Sequence, residues 1–174
     1  MGLFTFLLGG CAPTPEGARA DLEKKVATID ATTQDLLHVL REAGLKDATA
    51  RSVVDACEGM PDPGVMYRAG IEVKVGDDLA AAYAALVDRL DATGWDDTDA
   101  YDDVKVDPAT PAGQFTRDDV RLDVKTGGAK IGSEQYGSDE MQLGLTMSQS
   151  CVRVPVGVYA SDFQDLEKEI LPRE

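Results

Sequence analysis

The chain has 174 residues, which suits one domain plus a tail or linker, and its 43% hydrophobic share is enough to bury a core without staples. Its 17 basic residues stand against 32 acidic ones, a net charge of −15. That balance argues against nucleic acid as a partner, because phosphate binding needs a basic face, and against electrostatic adhesion to anionic lipid headgroups.

The chain opens on a mostly apolar run, Leu3 to Leu8, followed by Gly9, Gly10 and Cys11. The run is too short to span a bilayer as a helix, which takes about 20 residues. It fits the end of a signal-peptide apolar region followed by small residues. Leu8-Gly9-Gly10-Cys11 resembles the lipobox of bacterial lipoproteins: a Leu, two small residues, then Cys. The resemblance implies that the Cys11 thiol receives a diacylglycerol and that a dedicated peptidase cuts before it. Residues 1–10 would then be a signal-peptide remnant, and the mature protein would begin at Cys11. Only ten residues precede Cys11 and none is basic, so the expected translation start lies upstream. Phe6 stands where an N-myristoylation signal wants Ser or Thr, which sets that modification aside. Ala12 to Gly17 is a small, Pro-containing stretch without periodicity, and residues 11–18 are expected to form a tether.

Residues 19–174 read as a single domain. Arg19 to Glu42 is expected to be a helix, with Leu22, Val26, Ile29, Thr33, Leu36 and Leu40 on one face and Gly44 as its stop. Thr49 to Cys57 is ambiguous, with Ser52-Val53-Val54 suggesting a short strand. Gly59 to Gly64 is a loop by composition. Met66 to Val75 alternates as a half-buried strand, with Tyr67, Ala69, Ile71, Val73 and Val75 on one side. Gly76 to Asp78 forms a turn and helix N-cap, and Leu79 to Ala92 is a helix ending before Gly94.

Trp95 is expected to pack under the sheet and opens an acidic stretch. Val104 and Val106 are expected to seed a short strand, and Pro108 to Gly113 is a turn. Gln114 to Lys125 reads as one strand and Met141 to Val154 as another. Ser161 to Leu171 reads as an amphipathic helix capped by Ser161. This order implies an α+β two-layer sandwich: a mainly antiparallel sheet with helices packed on one face. The layout also resembles small exported lipoproteins of high-GC Gram-positive bacteria, through the lipobox, a Cys pair and a Trp after the second helix. That resemblance implies no particular activity.

Three cysteines are present. With Cys11 lipidated, an even pair remains, and Cys57 and Cys151 can form a disulfide in an oxidising compartment; two buried free thiols are the alternative.

No catalytic constellation emerges. His38 is the sole histidine and has no triad partners in evidence. There is no nucleophile elbow and no Gly-rich phosphate loop. Asp97, Asp99, Asp102 and Asp103 offer hard oxygen ligands at close spacing, a weak calcium candidate. An EF-hand loop counted from Asp97 would need Gly at its sixth position and Glu at its twelfth, where Asp102 and Pro108 stand; a solvated acidic loop is the plainer reading. No cofactor is expected. The expected protein is a non-enzymatic lipoprotein on the extracytoplasmic face of a cell membrane, held there through Cys11, with a protein or small-molecule partner of unspecified kind. The alternatives are a carboxylate-dependent hydrolase of envelope substrates and a cytosolic acidic domain with a misassigned start.

Overall fold

The structure is a computed structural model that describes residues 12–57, 62–76, 78–100, 110–127, 130–131, 134–135 and 139–170. The first element, helix α1, is Pro15–Glu42. It starts four residues before the expected Arg19, so the tether expected over 11–18 is helical from Pro15 onward. The reason is local: Thr14 caps the helix by accepting from the Gly17 N–H at 3.1 Å, and Pro15 pre-sets the first helical φ. The expected apolar face is the buried one, with Leu22, Ile29, Leu36 and Leu40 all at 0% exposure. Thr33 sits among them at no polar cost, because its hydroxyl donates to the Ile29 carbonyl at 2.7 Å. Gly44, at φ 86°, stops the helix in the left-handed region.

Strand β1 (Ala48–Ala56) resolves the ambiguous stretch after α1, and β2 is Gly64–Lys74. Helix α2 is Leu79–Ala92, capped by Asp78 as expected. The remaining strands are β3 (Asp96–Asp97), β4 (Ala112–Arg117), β5 (Val120–Thr126), β6 (Lys130–Ile131), β7 (Glu134–Gln135), β8 (Glu140–Met147) and β9 (Val152–Arg153). The expected strand over Gln114 to Lys125 is therefore a hairpin. Its two-residue turn, Asp118-Asp119, takes φ 53° at Asp118, a conformation that Asp tolerates better than most side chains. The expected strand over Met141 to Val154 is broken at 148–151, because β8 and β9 pair with different stretches of β2. The strand expected at Val104 and Val106 lies outside the described residues.

The main sheet runs β1-β2-β8-β5-β4-β3, with β9 also on β2, and all its pairings are antiparallel. The helices pack against it, which gives the expected α+β architecture with an open sheet. Tyr67, Ala69, Ile71 and Val73 of β2, Leu122 and Val124 of β5, and Met141, Leu143 and Leu145 of β8 point into the helical layer and are buried. Alternate residues therefore project from the opposite face.

The C-terminal segment departs from expectation. A 3-10 turn covers Ala160–Leu166, and the chain then extends to pair with the free edge of β1. Ser52 N–H donates to the Lys168 carbonyl at 2.9 Å and Ile170 N–H to the Ala50 carbonyl at 2.8 Å. That pairing demands extended backbone, which ends the expected helix early. Ser161 does not cap the turn; the Tyr159 N–H instead donates to the Asp162 carboxylate at 2.9 Å. Phe163 and Ile170 are buried as the amphipathic pattern requires. The segment covers what would otherwise be an exposed strand edge.

Candidate functional site

The Cys57–Cys151 disulfide is present, with a Cα–Cα distance of 6.1 Å. Cys57 continues β1, donating its N–H to the Gly64 carbonyl at 2.9 Å, and Cys151 immediately precedes β9. The bridge thus crosses the beginning of β2 above Gly64. A Cβ at Gly64 would lie 3.5 Å from the Cys57 Cβ and Sγ, and 3.3 Å from the Val152 carbonyl oxygen. Cys11 lies outside the described residues.

Of the four aspartates weighed as calcium ligands, Asp102 and Asp103 lie outside the described residues. Asp97 and Asp99 are not gathered with a third ligand: no group of three or more His, Cys, Asp or Glu suited to a metal occurs among the described residues. The Asp97 carboxylate instead accepts from the Asp99 N–H at 3.0 Å, a local turn contact. His38 is exposed on α1 and lies 3.4 Å from the Glu42 carboxylate, one helical turn on. Trp95 is buried at 2% exposure. Its ring lies beneath the Arg117 guanidinium, 4.8 Å from the ring centroid, and its Nε1 finds no hydrogen-bond partner among the described residues.

A polar cluster around the buried Tyr67 ties three elements together on the helical side of the sheet. The Tyr67 hydroxyl of β2 donates to Asp30 of α1 at 2.7 Å, and Asp30 also accepts from Lys168 of the C-terminal segment. Burial, reinforced by the nearby Asp30 and Glu167 charges, pushes the Tyr67 hydroxyl well above the ordinary tyrosine range. The cluster clamps the helix, the sheet and the C-terminal segment together.

The feature best suited to bind something lies on the other face of the sheet. A groove of about 1070 Å³ crosses the middle of β1, β2, β8 and β5. Its floor is set by register: Arg51 of β1 pairs with Gly70 of β2, Gly70 with Gly144 of β8, and Gly144 with Asp123 of β5. Two glycines thus stand side by side in the central strands. Neither has an atom within 4 Å of where a Cβ would stand. Glycine in a strand interior weakens it and often marks a place where another molecule approaches the backbone closely.

Fixed polar groups surround this floor. Asp123 accepts from Gln114 Nε2 at 2.8 Å and lies 3.4 Å from Arg121, while Arg68 is paired with Asp55. Arg51 and Lys125 have no ion-pair partner among the described residues. Ala50, Ala69, Ile71, Leu143 and Leu145 also line the groove, but their side chains are buried in the core on the far side. They contribute backbone only, which leaves Val53 as the one apolar side chain lining the open face, among hydrogen-bonding and charged groups.

None of this was singled out from the sequence. The available signal was Gly70, a glycine inside a clean strand alternation, which points to a bulge or a close approach. The chain matches no protein-family model, no curated protein and no solved structure.

Proposed function

We propose that the protein is an exported bacterial lipoprotein, held at the extracytoplasmic face of a membrane through lipid on Cys11, whose α+β domain is a binding module and not an enzyme. The observation that carries the anchor is the Leu8-Gly9-Gly10-Cys11 motif, which resembles a lipobox. Among the described residues no helix is long and apolar enough to cross a membrane, and the net charge of −15 opposes adhesion to anionic lipid. The pairing of Cys57 with Cys151 suits an oxidising compartment. The binding role is supported by the open groove over Gly70 and Gly144, whose recognition groups are hydrogen-bonding and charged.

Intact mass of the protein tests the anchor, measured after expression behind a complete signal peptide in a bacterial host with lipoprotein machinery. The expected species begins at Cys11, carries diacylglycerol, and gains two hydrogens on reduction. Cys11→Ser is expected to move the protein from the membrane to the soluble fraction. An unmodified chain under those conditions overturns the lipoprotein reading.

A further inference from the structure

We propose that the groove on the open sheet face binds an acidic oligosaccharide, one whose sugar rings carry carboxylates, with rings lying flat over Gly70 and Gly144 and carboxylates reaching Arg51 and Lys125. The proposal deepens the binding role above and does not depend on the lipid anchor.

The argument begins with charge. The chain has nearly twice as many acidic as basic residues, 32 against 17, yet the groove is lined by four acidic residues and by four basic ones besides Lys168, whose ammonium turns to Asp30. The groove is thus close to neutral within a strongly acidic molecule, and its potential favours an anion relative to the rest of the surface. Arg51 and Lys125 supply this most directly, because no described carboxylate neutralises them. They stand on β1 and β5, three strand spacings apart, roughly 14 Å across the sheet. Their long side chains can reach inward from both sides, toward anionic groups on one extended ligand.

The floor and walls then select the kind of anion. The buried apolar residues beneath the groove present only backbone and Val53 is the one apolar side chain on its open face, so there is no row of pockets for the side chains of a peptide. No aromatic residue lines it, so the stacking that supports single-stranded nucleic acid is missing. Asp123, Glu72, Gln142 and Thr49 supply acceptors and donors between the cations, as a chain of hydroxyls requires. The same carboxylates would repel a doubly charged phosphate more than a singly charged carboxylate. Arg51 matches a carboxylate with two parallel hydrogen bonds. The bare backbone at Gly70 and Gly144 lets a ring lie against the sheet.

The test uses the full chain with its disulfide intact and three probes: a short oligogalacturonate, the same oligomer with its carboxyls methyl-esterified, and polyglutamate. Calorimetry at low salt is expected to show binding of the oligogalacturonate, weakening as salt rises. Arg51→Ala and Lys125→Ala are each expected to weaken it about tenfold, the size of one lost charge-assisted hydrogen bond. Gly70→Val separates blocking from unfolding: it raises the floor with a good strand former, so the melting temperature is expected to hold or rise while binding is lost. Esterified oligomer and polyglutamate are expected to bind at least about tenfold more weakly than the acid. The proposal is overturned by an absence of oligogalacturonate binding, by esterified oligomer binding as tightly as the acid, or by binding that survives all three substitutions. Equal binding of polyglutamate overturns it too, and reassigns the face to an acidic peptide. An unlipidated chain in the mass experiment would remove the anchor and leave each of these outcomes unchanged.

Discussion

The hydroxyl of Tyr67 donates to the carboxylate of Asp30 at 2.7 Å, joining the centre of β2 to the middle of α1. Lys168 completes the set from the C-terminal segment, so one carboxylate holds the helix, the sheet and the chain end together. Tyr67→Phe removes the phenol while Asp30 keeps its lysine, so the expected loss is that of one hydrogen bond, about 1 to 2 kcal/mol. Asp30→Ala should cost more, since it strands both a buried hydroxyl and an ammonium.

The same pair sets a pH dependence. The Tyr67 hydroxyl titrates above the ordinary tyrosine range because it is buried beside a carboxylate. The unfolded chain releases that proton near pH 10, while the folded chain retains it. Stability from this group is therefore complete below pH 10 and falls as pH rises above it. Urea unfolding between pH 8 and 12, by rough choice around that unfolded value, should show a steeper alkaline loss for the wild type than for Tyr67→Phe. Parallel curves would remove Tyr67 as the cause.

The disulfide closes a loop with a sequence separation of 94 between its cysteines. In the chain-entropy picture such a loop contributes roughly 4 to 5 kcal/mol by restricting the unfolded chain. Cys57→Ser with Cys151→Ser should lower the denaturation free energy by that order. Since the bridge holds β9 against the start of β2, hydrogen exchange should rise first at Val65 and Val154. A double variant as stable as the oxidised protein would show that the sheet alone fixes that corner.

Elements with local signals were legible in the sequence. The strand β2 and the helix α2 announce themselves through alternation, an Asp78 cap and a Gly94 stop, each lying within a few residues of what it controls. The hairpin of β4 and β5 looks like one strand in the sequence because Asp118-Asp119 is a weak turn signal beside Asn-Gly. The split of β8 from β9 and the early end of the C-terminal helix both depend on which strand edge is free, a property of the whole sheet. The groove is of the same kind. Gly70 and Gly144 are neighbours because β8 lies beside β2, and nothing local in the sequence states that order. The disulfide could be anticipated from parity, although its passage over Gly64 could not.

Gly113 in β4 offers a test of how α2 is seated. A Cβ there would lie 2.2 Å from the Tyr83 hydroxyl and 3.0 Å from the Phe115 ring. Gly113→Ala is expected to destabilise by about 1 to 2 kcal/mol, since overpacking must push Tyr83 or Phe115 aside. Tyr83→Phe removes the nearest atom of that clash. The double variant should therefore lose less than the sum of the two single losses, a coupling that a double-mutant cycle by urea unfolding measures directly. Strict additivity would mean that the added methyl acts on Phe115 instead.

Gly70 and Gly144 should behave in the opposite way. Both have open space where a side chain would go, and neither has a positive φ, so a larger residue meets neither a clash nor strain. Each glycine costs roughly 0.5 to 1 kcal/mol in a strand interior relative to a residue with a side chain. Gly70→Thr and Gly144→Thr should each raise stability by about that amount, because a β-branched residue suits the pleated surface. The two positions face each other across strands, so the double variant should gain a further few tenths of a kcal/mol from the new side-chain pair. Urea midpoints at an unchanged slope would register this directly. A gain in stability paired with loss of oligogalacturonate binding would mean that the bare floor is kept for its ligand. If either substitution destabilises, the floor is serving the packing of the sheet, and the glycines cease to point to a binding site.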